Sequence, residues 1–120
     1  MSAIAAALVV LVAVEHVWFL VLEMFLWTRP LGLRTFRQSE EKARASAALA
    51  ANQGLYNGFL AAGLLWFLRT AQWNVVLFFL GCVLVAALYG AHSVSKRIFF
   101  VQGVPAIAAI IAVWCLTRGV

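Results

Sequence analysis

The chain has 120 residues, of which 66% are hydrophobic and 11% are charged, with a formal net charge of +5. A soluble domain of this size has too little interior to bury so much apolar surface, so the composition predicts an integral membrane protein. Nucleic-acid binding is not indicated, because the basic residues cluster at the ends of apolar segments instead of forming a solvated face.

Four apolar segments are each long enough to cross a bilayer as a helix, which takes about 20 residues. The first covers Ala3–Trp27 and ends at Pro30, and no basic residue precedes it, so we expect a retained span instead of a cleaved signal peptide. A hydrophilic segment, Leu31–Arg44, follows. The remaining spans are predicted at Ala45–Leu68, Trp73–Val94 and Ile98–Leu116.

The apolar runs are continuous and lack the two-residue alternation of membrane strands. The sequence therefore predicts an all-α membrane protein, with residues 1–120 forming a single four-transmembrane-helix bundle.

The distribution of Lys and Arg predicts the orientation. The first and third loops hold seven basic residues: Arg29, Arg34, Arg37, Lys42, Arg44, Lys96 and Arg97. The second loop and the C-terminal end hold two, Arg69 and Arg118. By the positive-inside rule the first and third loops are cytoplasmic and both termini lie outside. We expect a multi-pass protein of the cell inner (plasma) membrane.

Polar side chains concentrate in the cytoplasmic half of the predicted spans. The set comprises Glu15, His16, Glu23, Asn52, Gln53, Asn57, His92 and Gln102. An ionisable group at bilayer depth costs about 2.5 to 3.5 kcal/mol on insertion scales, so it needs a buried partner or a function. We therefore predict a polar pocket that opens to the cytoplasm.

Within this pocket the two glutamates and the histidine of the first span are the candidate catalytic groups: Glu15, His16 and Glu23. The candidate ligand-binding residues are the amides and the second histidine: Asn52, Gln53, Asn57, His92 and Gln102. His16 and Glu23 are seven residues apart, and Gln53 and Asn57 are four apart, so each pair shares one helix face. Alternatively, the amides only bond neighbouring helices, at about 0.6 kcal/mol each, and the carboxylates form structural pairs with His or Lys.

Other chemistries have weaker support. Glu15, His16, Glu23 and His92 lack the ExxH or HxxxH spacing of metal ligands, so no metal site is predicted. Cys82 and Cys115 lie in apolar spans without charged neighbours, which indicates packing. The sequence names no cofactor.

Small residues recur every four positions on the second span, at Ser46, Ala50, Gly54, Gly58 and Ala62. Such a strip allows close helix contact, either within one chain or between chains. Because four helices enclose little volume, we expect a homo-oligomer packed partly through this strip. Pro105, with Gly103 before it, is expected to start or kink the fourth helix.

Three segments carry a resemblance that covers nearly the whole chain. They are Glu15–Trp27 (EHVWFLVLEMFLW), Asn52–Ala61 (NQGLYNGFLA) and Val101–Ala106 (VQGVPA). In this order they resemble a family of small four-helix membrane proteins of bacteria and some fungi that is catalogued only as a domain of unknown function. The resemblance implies a fold and a membrane location, and it supplies no activity.

A fainter resemblance is to the MAPEG membrane enzymes, trimers of four-helix subunits with a basic first cytoplasmic loop. Their second helix carries Arg-Ala before an Asn and a Glu three residues after it. Here Ala50 and Ala51 precede Asn52, and Leu55 stands at the Glu position. This resemblance therefore implies architecture and not glutathione chemistry.

Three functions stay open at this stage. The first is binding or modification of a lipophilic small molecule, with Glu15 and Glu23 acting as acid, base or cation partner. The second is a small proton-coupled transporter or exporter subunit in which Glu15 and His16 relay protons. The third is a non-catalytic membrane assembly protein. Few polar residues lie in the outer halves of the spans, which favours the first function over a path through the membrane.

Overall fold

The computed structural model describes residues 2–119, with side chains from residue 3 onward. This stretch is helical between short turns and contains no strand. The α-helices are α1 (Ser2–Met24), α2 (Pro30–Phe36), α3 (Glu40–Arg69), α4 (Trp73–Ser93), α5 (Lys96–Ile98) and α6 (Val104–Arg118). A π-helical turn, Phe99–Gly103, joins α5 to α6.

Three helical segments are long and apolar enough to cross a membrane: Ala3–Met24, Trp73–Ser93 and Lys96–Arg118. The all-helical, membrane-like character expected from composition is thus confirmed. The helix α3 has 30 residues, about 45 Å at 1.5 Å per residue, so it exceeds the length of a span. Its amide side chains and charged first turns make it more polar than the other three segments.

The chain divides into two compact units, one formed by Met1–Val14 with Ala62–Val120 and the other by Glu15–Ala61. We call these the first and second units. The described part of the second unit holds the C-terminal part of α1, the helix α2 and most of α3.

The end of α1 comes three residues earlier than predicted. Phe25 and Leu26 both donate their backbone N–H groups to the carbonyl of Val21, which closes the helix. The short helix α2 then begins at Pro30, whose missing N–H is no loss in a first turn. Sequence reasoning placed this region in a single hydrophilic segment and missed α2.

Gly32 allows α2 to fold back beside the end of α1. A Cβ at this position would overlap the backbone carbonyl oxygen of Leu26. The Trp27 ring then packs on Phe36 with centroids 4.8 Å apart. Its Nε1 donates a 3.1 Å hydrogen bond to Ser46 Oγ, which fixes this turn to α3.

The helix α3 begins five residues before the predicted Ala45. Ser39 Oγ accepts a hydrogen bond from the backbone N–H of Lys42. Glu40 and Glu41 occupy the first turn, where negative charge offsets the positive end of the helix dipole. Propensity and capping therefore extend the helix beyond the apolar run that sequence reasoning used as its boundary.

In the first unit, α4 packs against α5, the π-helical turn and α6. The buried face of α4 carries Val76, Leu80, Val83 and Ala87. The facing residues of α6 are small, namely Ala106, Ala109, Ala112 and Val113. This spacing of three and four residues is the apolar stripe expected of packed helices.

The π-helical turn was not predicted, but it lies where Gly103 and Pro105 indicated an irregularity. Pro105 stands in the first turn of α6 and cannot donate to the carbonyl four residues earlier. The backbone N–H of Val104 reaches back five residues, to the carbonyl of Phe99. A Cβ at Gly103 would lie 3.4 Å from Ala87 Cβ, so the glycine also brings the turn close to α4.

Candidate functional site

The best-defined polar contact in the second unit joins α1 to α3. Asn57 Nδ2 donates a hydrogen bond of 2.5 Å to Glu23 Oε1, and both side chains are half-buried. Glu23 lies in the last turn of α1 and Asn57 near the middle of α3. The sequence assigned both residues to one polar pocket, and the structure brings these two side chains into contact.

Two glycines create the close approach that this hydrogen bond needs. A Cβ at Gly54 would lie 2.6 Å from Met24 Cγ and 3.1 Å from Glu23 Cβ. A Cβ at Gly58 would lie 2.7 Å from Leu20 Cδ1. Since Leu20 faces Gly58 and Met24 faces Gly54, the two helices run antiparallel here. The missing side chains let α1 settle onto α3 and bring the carboxylate within reach of the amide.

This contact also bears on the strip of small residues. Gly54 and Gly58 are used inside the chain, Ala50 is buried, and Ser46 bonds Trp27. The strip is therefore an intrachain packing face over most of its length, and it no longer supports an interface between copies. Sequence reasoning had not identified its glycines as part of the candidate site.

Glu15 lies eight residues before Glu23 on α1, about 12 Å along the helix axis at 1.5 Å per residue. Its Oε1 atom is buried and takes no hydrogen bond from the described part of the chain. The adjacent His16 is 1% exposed, and its ring meets the Phe19 ring edge-on at 5.3 Å between centroids. His16 is therefore packed in the protein core, whereas Glu15 carries an unsatisfied oxygen.

Neither Glu15 nor Glu23 forms an ion pair with the residues that the structure describes. The ion pair found there joins Arg44 to Glu40 at 2.8 Å on the surface of α3. Two carboxylates thus lie in an apolar helix. Glu23 accepts a hydrogen bond from the Asn57 amide, and Glu15 Oε1 accepts none from the described residues. Uncompensated charge in such a place is unfavourable, so a proton or an external cation is needed.

Asn52 and Gln53 are exposed and do not share the inward orientation of Asn57. Asn52 Nδ2 donates to the carbonyl of Ala48 within its own helix at 3.2 Å. Ala43 and Ala50 in the same part of α3 are buried, so the face of the helix, and not the position along it, decides this exposure. The face of α3 that the rest of the chain covers was not predicted from the sequence.

His92 and Gln102 belong to the first unit. His92 is exposed in the last turn of α4, where a cation would complement the helix dipole. Gln102 is half-buried in the π-helical turn. Their assignment to a common ligand pocket stays a prediction. No group of three or more metal-ligating side chains occurs among residues 3–119.

Comparison with known proteins agrees with the resemblance carried by the three segments. Residues 10–114 match the family described as Protein of unknown function (DUF1304). The chain is also 34% identical over 116 residues to the Uncharacterized protein YpaA of Lactococcus lactis subsp. lactis (strain IL1403), covering 93% of this chain and 98% of that protein. No solved structure gives a significant match. On both grounds the chain belongs to the DUF1304 family of proteins of unknown function.

Proposed function

We propose that this protein crosses the membrane four times, with both termini outside the cytoplasm. In this proposal it binds a lipophilic small molecule whose cationic head is held by Glu23. The observation that carries the proposal is the Glu23–Asn57 hydrogen bond at the end of an apolar helix, with no ion pair to either glutamate from the described residues. A carboxylate positioned in this way lacks a counter-charge, and a cationic ligand supplies one.

The hydrogen bond supports a binding role for Glu23. Asn57 holds Oε1 and thereby fixes the direction of the whole carboxylate, including its second oxygen. A carboxylate that is oriented before binding loses less rotational freedom when a ligand arrives. Asn57 is in this view a positioning residue, and Glu23 is the group that touches the ligand.

The surroundings of Glu23 suit an apolar ligand body. Met24 and Phe25 follow it along the chain, and Phe25 is 66% exposed. Tyr56 precedes Asn57, is 60% exposed and meets Phe59 edge-on. Phe25 and Tyr56 are thus exposed aromatic residues next to the pair in the sequence, and aromatic rings favour an organic cation over a hydrated metal ion.

The four-span arrangement is supported by the length of α3 and by the charge distribution. The segment from Arg29 to Arg44 holds five basic residues, whereas the Arg69–Trp73 turn holds one. The positive-inside rule then puts the α2 region in the cytoplasm and the turn before α4 outside. Glu23 would lie near the cytoplasmic face of an inner-membrane protein. A homo-oligomer remains a separate prediction.

Equilibrium dialysis with two hydrophobic ions of similar size tests the proposal. Purified protein in mild detergent is equilibrated with tetraphenylphosphonium, a cation, or tetraphenylborate, an anion. We expect preferential binding of the cation, and Glu23→Gln should weaken it about tenfold through loss of one charge-assisted contact. Glu41→Gln, which removes an exposed carboxylate at the start of α3, is the control and should leave cation binding unchanged.

Two results would overturn the proposal. One is equal binding of both ions by the unmutated protein. The other is an equal loss of cation binding in Glu23→Gln and Glu41→Gln, which would mean that the net charge of the protein, and not Glu23, determines cation binding. A proton-coupled transporter differs in one measurable way: in proteoliposomes it would accumulate the cation when a pH gradient is imposed, whereas a binding protein would not.

A further inference from the structure

A surface cavity lies in the first unit, where the start of α4 meets the end of α6. A cavity of about 290 Å³ is lined there by Asn74, Leu77, Trp114, Thr117 and Arg118. The glutamates of the candidate site are absent from this lining. The cavity is therefore a separate feature with its own chemistry.

The lining combines hydrogen-bond donors with an apolar wall. The Arg118 guanidinium lies over the Trp114 ring, 4.2 Å from its centroid. This cation–π contact holds the guanidinium at the cavity, and Arg118 is exposed, so its N–H donors are accessible to a ligand. Asn74 adds an exposed side-chain amide. Thr117 Oγ1 donates to the Trp114 carbonyl at 3.0 Å, so its own hydrogen is already used.

The charge balance of this unit favours an anion. All four acidic residues of the chain lie between Glu15 and Glu41, in the second unit. The first unit, in contrast, has four charged side chains that are all basic: Arg69, Lys96, Arg97 and Arg118. The positive end of the α4 dipole and the negative end of the α6 dipole both lie here and offset each other, so the preference for an anion depends on Arg118.

The location favours a lipid as the source of the anion. The cavity lies at the ends of two segments that are long and apolar enough to cross a membrane, Trp73–Ser93 and Lys96–Arg118. Phospholipid headgroups lie at that level of a bilayer, and Trp side chains are enriched there. Leu77 and the Trp114 ring offer apolar surface to the glycerol and upper acyl region.

We infer that the cavity binds the phosphodiester of an anionic phospholipid. Arg118 donates to the phosphate oxygens, Asn74 adds a further donor, and Trp114 holds the guanidinium in place. A zwitterionic lipid brings its own ammonium group toward Arg118, and this like charge weakens its binding. The cavity therefore prefers anionic to zwitterionic phospholipids when their acyl chains are identical.

Native mass spectrometry in mild detergent tests this inference. Protein is mixed with phosphatidylglycerol and phosphatidylethanolamine of identical acyl chains, and the lipid-bound fractions are compared. We expect phosphatidylglycerol to be preferred by about tenfold, the ratio expected for one charge-assisted hydrogen bond. Arg118→Gln and Asn74→Ala should each reduce the preference, whereas Arg69→Gln, which removes an exposed cation of the same unit outside the cavity, should keep it.

Two further arms separate the alternatives. Excess glycerol 3-phosphate should not displace phosphatidylglycerol, and displacement would mean that the ligand is a soluble phosphate, which overturns the lipid assignment. An equal loss of preference in Arg69→Gln would mean that net charge alone attracts the lipid, which also overturns it. If Arg118→Gln fails to fold, an unchanged preference in Asn74→Ala is sufficient to reject the site.

Discussion

Asn57 Nδ2 lies 2.5 Å from Glu23 Oε1, although 34 positions separate the two residues in the sequence. This single hydrogen bond joins the end of α1 to the middle of α3 across a contact that Gly54 and Gly58 make possible. It gives one of the two carboxylates in α1 a fixed orientation. The proposed binding role of Glu23 depends on this relationship.

The Glu23–Asn57 pair should show energetic coupling in a double-mutant cycle. Asn57→Leu removes the donor and should lower the free energy of unfolding by about 1 kcal/mol, within the range measured for hydrogen bonds between membrane helices. Glu23→Gln retains an acceptor oxygen and should lower the free energy of unfolding less. Unfolding in mixed micelles measures this free energy for both variants. Asn52→Leu is the control, because the Asn52 side chain donates to a carbonyl of its own helix. Additive effects of Asn57→Leu and Glu23→Leu would show that the hydrogen bond contributes nothing.

The same substitution at two glycines should have opposite effects. At Gly54 a Cβ would lie 3.1 Å from Glu23 Cβ and 3.3 Å from the Leu20 carbonyl oxygen, so Gly54→Ala should destabilise the protein by about 1 to 2 kcal/mol. At Gly81 a Cβ would meet nothing within 4 Å, so Gly81→Ala should stabilise α4 by up to about 1 kcal/mol. Equal effects in an unfolding titration would mean that α1 does not approach α3 closely.

Ala71 should be a site where glycine stabilises the fold. Its φ is 54°, in the left-handed region, and it follows the end of α3. The backbone N–H of Gln72 returns to the Phe67 carbonyl and that of Ala71 to the Leu68 carbonyl, which is the pattern of a helix end that usually carries glycine. Ala71→Gly should therefore raise the unfolding free energy by about 1 kcal/mol. A decrease would argue against this conformation of the turn.

The orientation can be tested with two engineered cysteines. Two variants are made in a protein that carries Cys82→Ala and Cys115→Ala. One adds Glu41→Cys and the other adds Gln72→Cys, and both positions are exposed. A membrane-impermeant thiol reagent added to intact cells should label the cysteine at position 72 and not the one at position 41. The reverse pattern would invert the topology, and labelling of both positions would contradict a fourth span through α3.

Much of the helical framework was predictable because its determinants are local. Continuous apolar runs define α1, α4 and α6, and α4 was expected at Trp73–Val94 and observed at Trp73–Ser93. The features that were missed depend on hydrogen bonds that hydropathy does not report. The helix α2 follows a proline within a polar segment, and the early start of α3 depends on the Ser39 cap.

The sequence placed Glu23 and Asn57 in one polar pocket but did not predict their direct hydrogen bond. Residue counting orders side chains along a helix, but it does not show which of them meet. Whether a side chain is covered depends on which face of its helix packs against the rest of the chain: Gln53 is exposed although Ala50, one turn earlier, is buried. Likewise, a small-residue strip signals close contact without indicating its partner, and here that partner is α1 of the same chain.

Photo-crosslinking tests most directly whether a lipophilic cation binds beside Glu23 and Asn57. A lipophilic quaternary ammonium probe carrying a diazirine is activated with the detergent-purified protein, and the labelled peptides are identified by mass spectrometry. We expect labels on residues 20–27 and 52–60, competed by excess tetraphenylphosphonium but not by tetraphenylborate, and greatly reduced in Glu23→Gln. Labels confined to other segments, or unchanged labelling in Glu23→Gln, would contradict the claim.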